Sequence, residues 1–439
     1  MGWSRSEGDA DRELRQPLTE ETQVKDDYNL AYITFFLLGV GFLLPWNTFI
    51  SAVDYFEVFY PSSHMDRVFS LVYMIPCFIF LLILTFYCQK FSARLRINLG
   101  LITFLFIFVF VPAMDEWWIT GNRGTKVTYA LTVGAVAVLG LSDALVQGSL
   151  IGLAGELPGR YMQAVIAGTA ASGVLASILR VITKATLPQT VRGLKLSADL
   201  YFIVTALLLL ICLLSFNMVN KLPVMLYHYR MKLRALESTL STSEPQDVSE
   251  LGLKTDTTEI SPTTTTDSEL DKVTKPVSFV HVWSQIKWLA TSVAVVYVVT
   301  MSIFPGYITE DVHSAFLGDW YPVLLIVAYN ISDLAGKTLT SVCMVENQNL
   351  MIWGCFGRLV FFPLFYTVLH GPAIFREEAI VFLLTAMLGL SNGYMTSLVM
   401  IVAPKNVPVL ESETAGIIMT LFLVSGLTIG SLLGWVWII

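Results

Sequence analysis

The chain reads as an all-α polytopic membrane protein with eleven transmembrane helices divided six plus five. Three observations predict this. Of its 439 residues, 55% are hydrophobic and only 14% are charged, against about a quarter charged in soluble domains, and the mean hydropathy is +0.66. Apolar runs long enough to cross about 30 Å of hydrocarbon at about 1.5 Å per residue recur along most of the chain. A polar, Ser/Thr-rich stretch separates six of these runs from five.

Residues 1–27 are polar and mixed in charge, without the apolar centre of a cleavable signal peptide. They read as a cytoplasmic tail, and the first span acts as its own insertion signal. Spans are expected near 30–53, 68–88, 96–114, 127–155, 163–186 and 198–220, then near 284–308, 320–344, 351–370, 379–402 and 410–438. Pro45, Pro76, Pro305, Pro363 and Pro404 interrupt several of them, which is tolerated where neighbours or a cavity satisfy the freed backbone groups. The two halves are therefore 28–220 and 284–439. Between them, 221–283 opens on Lys221, Arg230, Lys232 and Arg234 and becomes Ser/Thr-rich over 238–266. It closes with Lys272 and Lys275 ahead of an amphipathic approach at Val280–Trp288. Such composition builds no core and is expected to be flexible.

Lys and Arg near the span ends set the orientation. The tail, the 89–98 loop (Lys90, Arg94, Arg96), Arg160, the linker and Lys405 carry more than twice as many as the opposite set. That opposite set is Arg67, Arg123, Lys126, Lys184, Arg192, Lys195 and Arg376. The amino terminus and linker are expected in the cytoplasm, and an odd span count puts the carboxyl terminus outside. The one Asn-x-Ser/Thr, at Asn330, falls within a span. Cys77, Cys88, Cys212, Cys343 and Cys355 all lie in apolar runs, as small buried hydrophobes do, and the five histidines show no ligand spacing. Neither a cofactor nor a nucleic-acid partner is implied.

The most informative stretch runs from Tyr329 to Thr340. Asp333 and Lys337 are four apart and Asn330 precedes Asp333 by three, so all three share one helix face. A single charge at the bilayer centre costs roughly 2.5–3.5 kcal/mol on insertion scales. The face must turn to the bundle interior or a watery cavity, either as an ion pair locking two helices or as a substrate or ion pathway. Asp143 and Gln147 repeat the pattern in the fourth span. A glutamine there can be interhelical glue worth about 1 kcal/mol, but an unpaired aspartate has to exchange a proton or meet a cation. One such face in each half suits a site between two repeats.

In the first span Pro45 is followed by Trp46 and Asn47. Trp46 is either an interfacial anchor or, beyond the proline bend, a stacking surface in a cavity. Arg180 and Lys184 lie near a span end and read as snorkelling side chains. Arg358 sits deeper and is expected to pair with an acid. Glu411 and Glu413 open the last span, where a helix N-terminus favours negative charge, and read as structural. Gly389-Leu-Ser391-Asn-Gly393 matches G-x-S-x-G, yet a nucleophile elbow needs a strand-to-helix turn and a histidine, and this stretch is mid-helix with neither. Without an assembled nucleophile, metal set or acid–base pair, an enzyme is not expected. A receptor or scaffold is the competing class, and it leaves Asp143, Gln147, Asp333 and Lys337 without a task.

At Leu44-Pro45-Trp46-Asn47 the chain resembles the equilibrative nucleoside transporter family. The likeness recurs from Gln147 to Pro158 and at Phe304-Pro305, Asn330-x-x-Asp333-x-x-Gly336-Lys337, Arg358-x-x-x-x-Pro363-Leu-Phe365, Ser391-Asn-Gly-Tyr394 and Glu413-Thr-Ala-Gly416. Only the tail and linker are uncovered. The resemblance implies a major-facilitator-like bundle with a cytoplasmic amino terminus and alternating access around a central nucleoside site. By motif position, Leu43, Trp46, Ile50, Met74 and Gln147 would line the site from one half. Phe304, Asn330, Asp333 and Leu427 would line it from the other, with Lys337 beside Asp333. Asn47, Arg358 and Glu413 would serve structure or gating. Aromatic and aliphatic side chains would sandwich the base, Gln147 would donate and accept at its edge, and Asp333 would accept from ribose hydroxyls.

Two departures from the family pattern matter. Lys337 stands where an arginine is usual, a point charge instead of a planar fork, and Asp143 stands where many animal members have a small residue. Both resemble plant-like members, some of them proton symporters, which makes Asp143 and Asp333 the candidate proton carriers. The monoamine-carrying branch is similar around Gly41-Phe-Leu-Leu-Pro45 and Val53-Asp54-Tyr55. It has an acidic residue at the place of Thr169, however, and lacks a tryptophan at 46. Nucleosides such as adenosine and uridine are the expected cargo and organic cations the second. The plasma membrane is the expected location, a vacuolar or lysosomal membrane the second.

Overall fold

In hydrocarbon each backbone N–H and C=O needs a partner within the protein, and a helix supplies it within its own segment. The computed structural model describes residues 26–60, 65–87, 91–118, 125–219, 221–242, 279–304, 314, 316–372 and 377–434. Its first half holds α1 (Leu30–Ser51), α2 (Met65–Tyr87), α3 (Ala93–Trp118), α4 (Lys126–Gly155), α5 (Gly159–Thr186) and α6 (Val191–Val219). The second holds α7 (Phe279–Ile303), α8 (Trp320–Leu339), α9 (Gln348–His370), α10 (Glu378–Val402) and α11 (Ser412–Leu433). Ten of these are long and apolar enough to cross a membrane by composition alone. The other is α8, whose apolar run is diluted by Asn330, Asp333 and Lys337. It is kept as a span by packing against α5 and α10.

The helix pairings repeat between the halves. α1 packs on α5 as α7 packs on α11, and α2 packs on α4 as α8 packs on α10. The halves meet where α5 touches α8 and where α2 and α4 touch α11. In the first half an aromatic cluster ties the far end of α1 to three neighbours. Phe49 meets Phe69 of α2, Phe108 of α3 and Phe202 of α6 edge to face, with centroids 5.8, 5.6 and 5.3 Å away. Such pairs contribute about 0.5–1.5 kcal/mol each beyond area burial, and they fix the helix that carries Trp46 one turn earlier. Phe106 and Val109 of α3 are 65% and 60% exposed and mark a lipid face.

Several expectations need correction. α8 ends at Leu339, short of Met344, because Thr340 and Ser341 turn back on Lys337 and Thr338 carbonyls. α9 is interrupted by a 3-10 turn over Arg358–Val360, just ahead of Pro363, whose ring cannot follow an unbroken helix. The stretch read as a flexible linker contains a helix, Pro223–Thr242. Leu, Met, Lys, Arg, Ala and Glu are strong helix formers and proline suits the first helical position, a signal that charge and Ser/Thr content obscured. Cys343 is exposed, whereas Cys77, Cys212 and Cys355 are buried. The tail to residue 25, linker residues 243–278, Pro305, Cys88 and residues 435–438 lie outside the described residues.

Candidate functional site

Between the halves lies a cavity of about 630 Å³. α1 contributes Leu43, Trp46, Asn47 and Ile50, whose three- and four-residue spacings put them on one face. The Trp46 ring lies against Tyr73 of α2, centroids 4.4 Å apart. Asn47 donates to Ser172 Oγ of α5 at 2.9 Å, which fixes the face of α1 toward the cavity. Met74 and Cys77 join from α2, and Asp143 and Gln147 from α4.

The two polar groups of α4 differ in what they meet. Among the described residues the Gln147 amide makes no hydrogen bond, and it borders the cavity. Asp143 is 4% exposed. Cys77 Sγ donates to its Oδ2 at 3.7 Å, while Oδ1 has no partner and no ion pair forms among the described residues. Tyr73 also faces this carboxylate, its hydroxyl without a hydrogen bond.

The opposite wall is held by a connected network. Lys337 Nζ lies 2.8 Å from Asp333 Oδ2 and donates to Thr169 Oγ1 of α5 at 3.0 Å. Asn392 of α10 donates to Asp333 Oδ1 at 2.7 Å. Asn330 donates to Ser177 Oγ of α5 at 2.8 Å. Phe304 stacks on Tyr329, centroids 3.9 Å apart at 16°, and Leu427 reaches the cavity from α11. α10 approaches α8 this closely because Gly393 has no side chain: a Cβ there would lie 2.1 Å from the Asp333 carbonyl. The G-x-S-x-G stretch is thus a helix-packing surface.

Two predicted residues lie outside the cavity. Arg358, 3% exposed, has no acid partner among the described residues. Its guanidinium donates to the carbonyls of Val296 and Leu388, to Thr300 and Ser391, and at 3.3 Å to Asn392 Oδ1. The expected carboxylate is replaced by backbone carbonyls of α7 and α10 and by hydroxyls. Glu413 pairs with Arg96 of α3 at 2.5 Å, joining the second half to the first on the linker side. There Gly152 of α4 and Gly416 of α11 bring the backbones together, a Cβ on Gly416 falling 2.8 Å from Gly152 Cα. From mid-bundle the cavity lining runs the other way, to Asp54, Lys184, Asp319 and Gly434.

Arg180 and Lys184 also line this end of the cavity, so the snorkelling reading is corrected. Arg180 pairs with Asp54 at 2.5 Å and Lys184 donates to the Asp319 carbonyl of the other half at 2.6 Å. Sequence reasoning assigned no role to Tyr73, Cys77 or Asn392. Asn392 was visible in Ser391-Asn-Gly-Tyr394; Tyr73 and Cys77 carried no pattern apart from their neighbours.

A family model described as Nucleoside transporter matches residues 133–439. Equilibrative nucleotide transporter 1 of Arabidopsis thaliana is 48% identical over 415 residues, covering 94% of this chain and 87% of that protein. Equilibrative nucleotide transporter 8 of the same plant is 42% identical over 425 residues, covering 96% and 98%. Among solved structures, the major facilitator superfamily proton:xylose symporter XylE aligns with a TM-score of 0.60 at 13% identity, over 94% of this chain and 89% of that one. FucP in its outward conformation gives 0.58 at 11%, over 93% and 91%. At those identities the structural likeness carries the fold alone. Built as a multi-pass bundle on the major-facilitator plan, this chain belongs to the equilibrative nucleoside transporter family.

Proposed function

We propose that the protein moves nucleosides across the bilayer by alternating access, with the linker and amino terminus in the cytoplasm. One observation carries this reading. A single cavity is faced by an aromatic platform, Trp46 on Tyr73, and the open Gln147 amide from one half, and by Asp333 with its fixed partners from the other. A base needs a flat apolar face and an edge that both donates and accepts. A ribose needs an acceptor for its hydroxyls. The volume falls within the roughly 300–1,000 Å³ of small-molecule sites. In this reading the linker side is shut by Arg96–Glu413 and the α4–α11 backbone contact, so the cavity faces outward.

An uncharged nucleoside is favoured over a phosphorylated one. Arg180 and Lys337 are each paired with a carboxylate, and Lys184 is turned to a backbone carbonyl. A phosphate would meet no idle cation among them. Asp143 supports a proton role: a buried carboxylate without a cation has to neutralise or be neutralised, and it lies beside the aromatic platform. The same unpaired carboxylate favours a second cargo, an organic cation. Against it, Thr169 holds Lys337, so this wall already carries an excess of positive charge with Arg358 behind it. The plasma membrane is the proposed location, with a vacuolar or lysosomal membrane second.

Counterflow of labelled nucleoside in proteoliposomes tests the reading. Exchange of adenosine and uridine is expected, with a monoamine exchanged weakly or not at all. Absence of counterflow for every nucleoside at two pH values would leave a receptor or scaffold and overturn the carrier assignment.

A further inference from the structure

The helix Pro223–Thr242 begins four residues after α6 ends at Val219. Its first turns therefore lie where that span leaves the hydrocarbon. Its inner side is fastened to the bundle. Val224 and Met225 are buried, and Lys232 Nζ donates to Glu156 Oε1 at 2.6 Å, in the turn between α4 and α5. The helix also packs on the 3-10 turn Val409–Glu411 that precedes α11. It thus touches both halves, beside the closed seam of Gly152, Gly416, Arg96 and Glu413.

The outer side has a different character. Leu226, Arg230 and Arg234 are spaced by four and exposed, with exposed Met231 beside them, so apolar and cationic side chains alternate along one face. From Lys221 to Arg234 the chain carries four Lys or Arg and no Asp or Glu. Burial holds the His228 imidazole below its ordinary pKa, so it adds no charge at neutral pH. A cationic face with interleaved apolar side chains at a span's end matches the interfacial region of an anionic leaflet, where carbon side chains enter the acyl boundary and guanidinium groups meet phosphates.

We propose that this face binds the headgroups of anionic phospholipids. Through Lys232–Glu156 and the contact with Val409–Glu411, the bound helix straps the linker side of the two halves together. Only the strap rests on the carrier reading; the lipid site does not. Lipid attachment lowers the freedom of a helix that must shift when the seam opens, so the closed seam gains population as the leaflet becomes more anionic.

The test uses the full chain in vesicles of phosphatidylcholine alone or with about one-third phosphatidylserine. A fluorophore is placed at Met231→Cys after Cys88 and Cys343 are changed to serine, the other cysteines being buried. Brominated phosphatidylserine is expected to quench it more strongly than brominated phosphatidylcholine. Each arginine at an anionic surface strengthens attachment about fivefold, so Arg230→Gln with Arg234→Gln should reduce that preference roughly twenty-five-fold. Lys232→Gln should keep the preference but lose the effect of phosphatidylserine on the wild-type counterflow rate. Equal quenching by the two lipids would overturn the lipid site, whether or not the protein transports. A lipid preference with a wild-type counterflow rate indifferent to phosphatidylserine would overturn the strap.

Discussion

Asn392 donates to one oxygen of Asp333 at 2.7 Å while Lys337 holds the other at 2.8 Å. The Asn392 carbonyl in turn accepts from Thr300 at 2.8 Å and from Arg358 at 3.3 Å. One carboxylate therefore answers to two buried cations, one directly and one through an amide. Across the cavity Asp143 has no cation among the described residues. The walls are electrically opposite: an excess of positive charge behind Asp333, and an unbalanced acid beside Trp46 and Tyr73.

Asn392→Leu removes the amide and keeps most of the volume. It leaves Asp333 Oδ1 and the Arg358 and Thr300 donors one partner short. Each unsatisfied buried group costs about 1–3 kcal/mol, more when charged. Nucleoside counterflow should fall at least about tenfold, the equivalent of about 1.4 kcal/mol, with the protein still in the membrane. Full activity would show that Asp333 does not need this donor.

Breaking the ion pair from one side should be worse for folding than removing both partners. Lys337→Ala leaves a buried carboxylate facing only an amide, a loss of about 3–5 kcal/mol for a broken buried pair. Asp333→Leu with Lys337→Met removes both charges and should restore much of the thermal stability in detergent. The double variant should still not transport, because the acceptor proposed for the ribose hydroxyls is gone. A double variant that unfolds earlier than Lys337→Ala would contradict this.

How far the sequence anticipated this site follows from the range of each signal. Asp333, Lys337 and Asn330 were legible because helical spacing puts them on one face and the bilayer forbids that face to lipid. Trp46 carried no such penalty and read equally as an interfacial anchor, while Met74, Phe304 and Leu427 came only from resemblance. Arg358 was legible as buried, but its partners were not, since backbone carbonyls of neighbouring helices leave no trace in composition. The halves were legible from the polar linker, and the linker helix was hidden by the same polarity. Tyr73 becomes visible only when α2 meets α1, and the bond from Asn392 to Asp333 only when α10 meets α8.

Gly393 tests the packing that makes Asn392 available. A Cβ there would lie 2.1 Å from the Asp333 carbonyl and 2.9 Å from the Lys337 nitrogen, both backbone atoms that cannot swing aside. Gly393→Val should force α8 and α10 apart and abolish transport along with a large fall in thermal stability. Gly357→Ala, where a Cβ would meet nothing within 4 Å, is the control and should transport normally. Equal behaviour of the two would show that the helices separate without consequence.

Asp143 offers a test of proton coupling that leaves Asp333 alone. The asparagine side chain nearly matches its shape, can still accept from Cys77, and carries no exchangeable charge. If Asp143 binds and releases a proton in each cycle, wild-type uptake should rise with an inward proton gradient and fall with a protonophore. Asp143→Asn should exchange nucleoside in counterflow yet ignore both. Tyr73→Phe, which keeps the stack on Trp46 and removes the hydroxyl facing Asp143, should shift the pH profile with little change in affinity at its optimum. Wild-type uptake indifferent to pH and protonophore would remove the proton role.

Arg96 and Glu413 should govern which side is open. Arg96 is 3% exposed and Glu413 24%, and Arg96 Nε and Nη1 have no hydrogen-bond partner. Glu413 is thus the acid that makes burial of this arginine tolerable while the linker side is shut. Glu413→Gln keeps an acceptor but removes the charge; a loss of about 2 kcal/mol from the closed seam would shift the balance about thirtyfold toward the linker-open form. A cysteine at Ile151, on the cavity floor nearest the seam, should then react faster with thiol reagents applied from the linker side. Exchanging the charges, Arg96→Glu with Glu413→Arg, should restore only part of the protection. The arginine would stand in the first turn of α11, where the helix N-terminus favours an acid. Unchanged labelling in Glu413→Gln would mean that the seam is held by the Gly152–Gly416 backbone contact and that the ion pair contributes little.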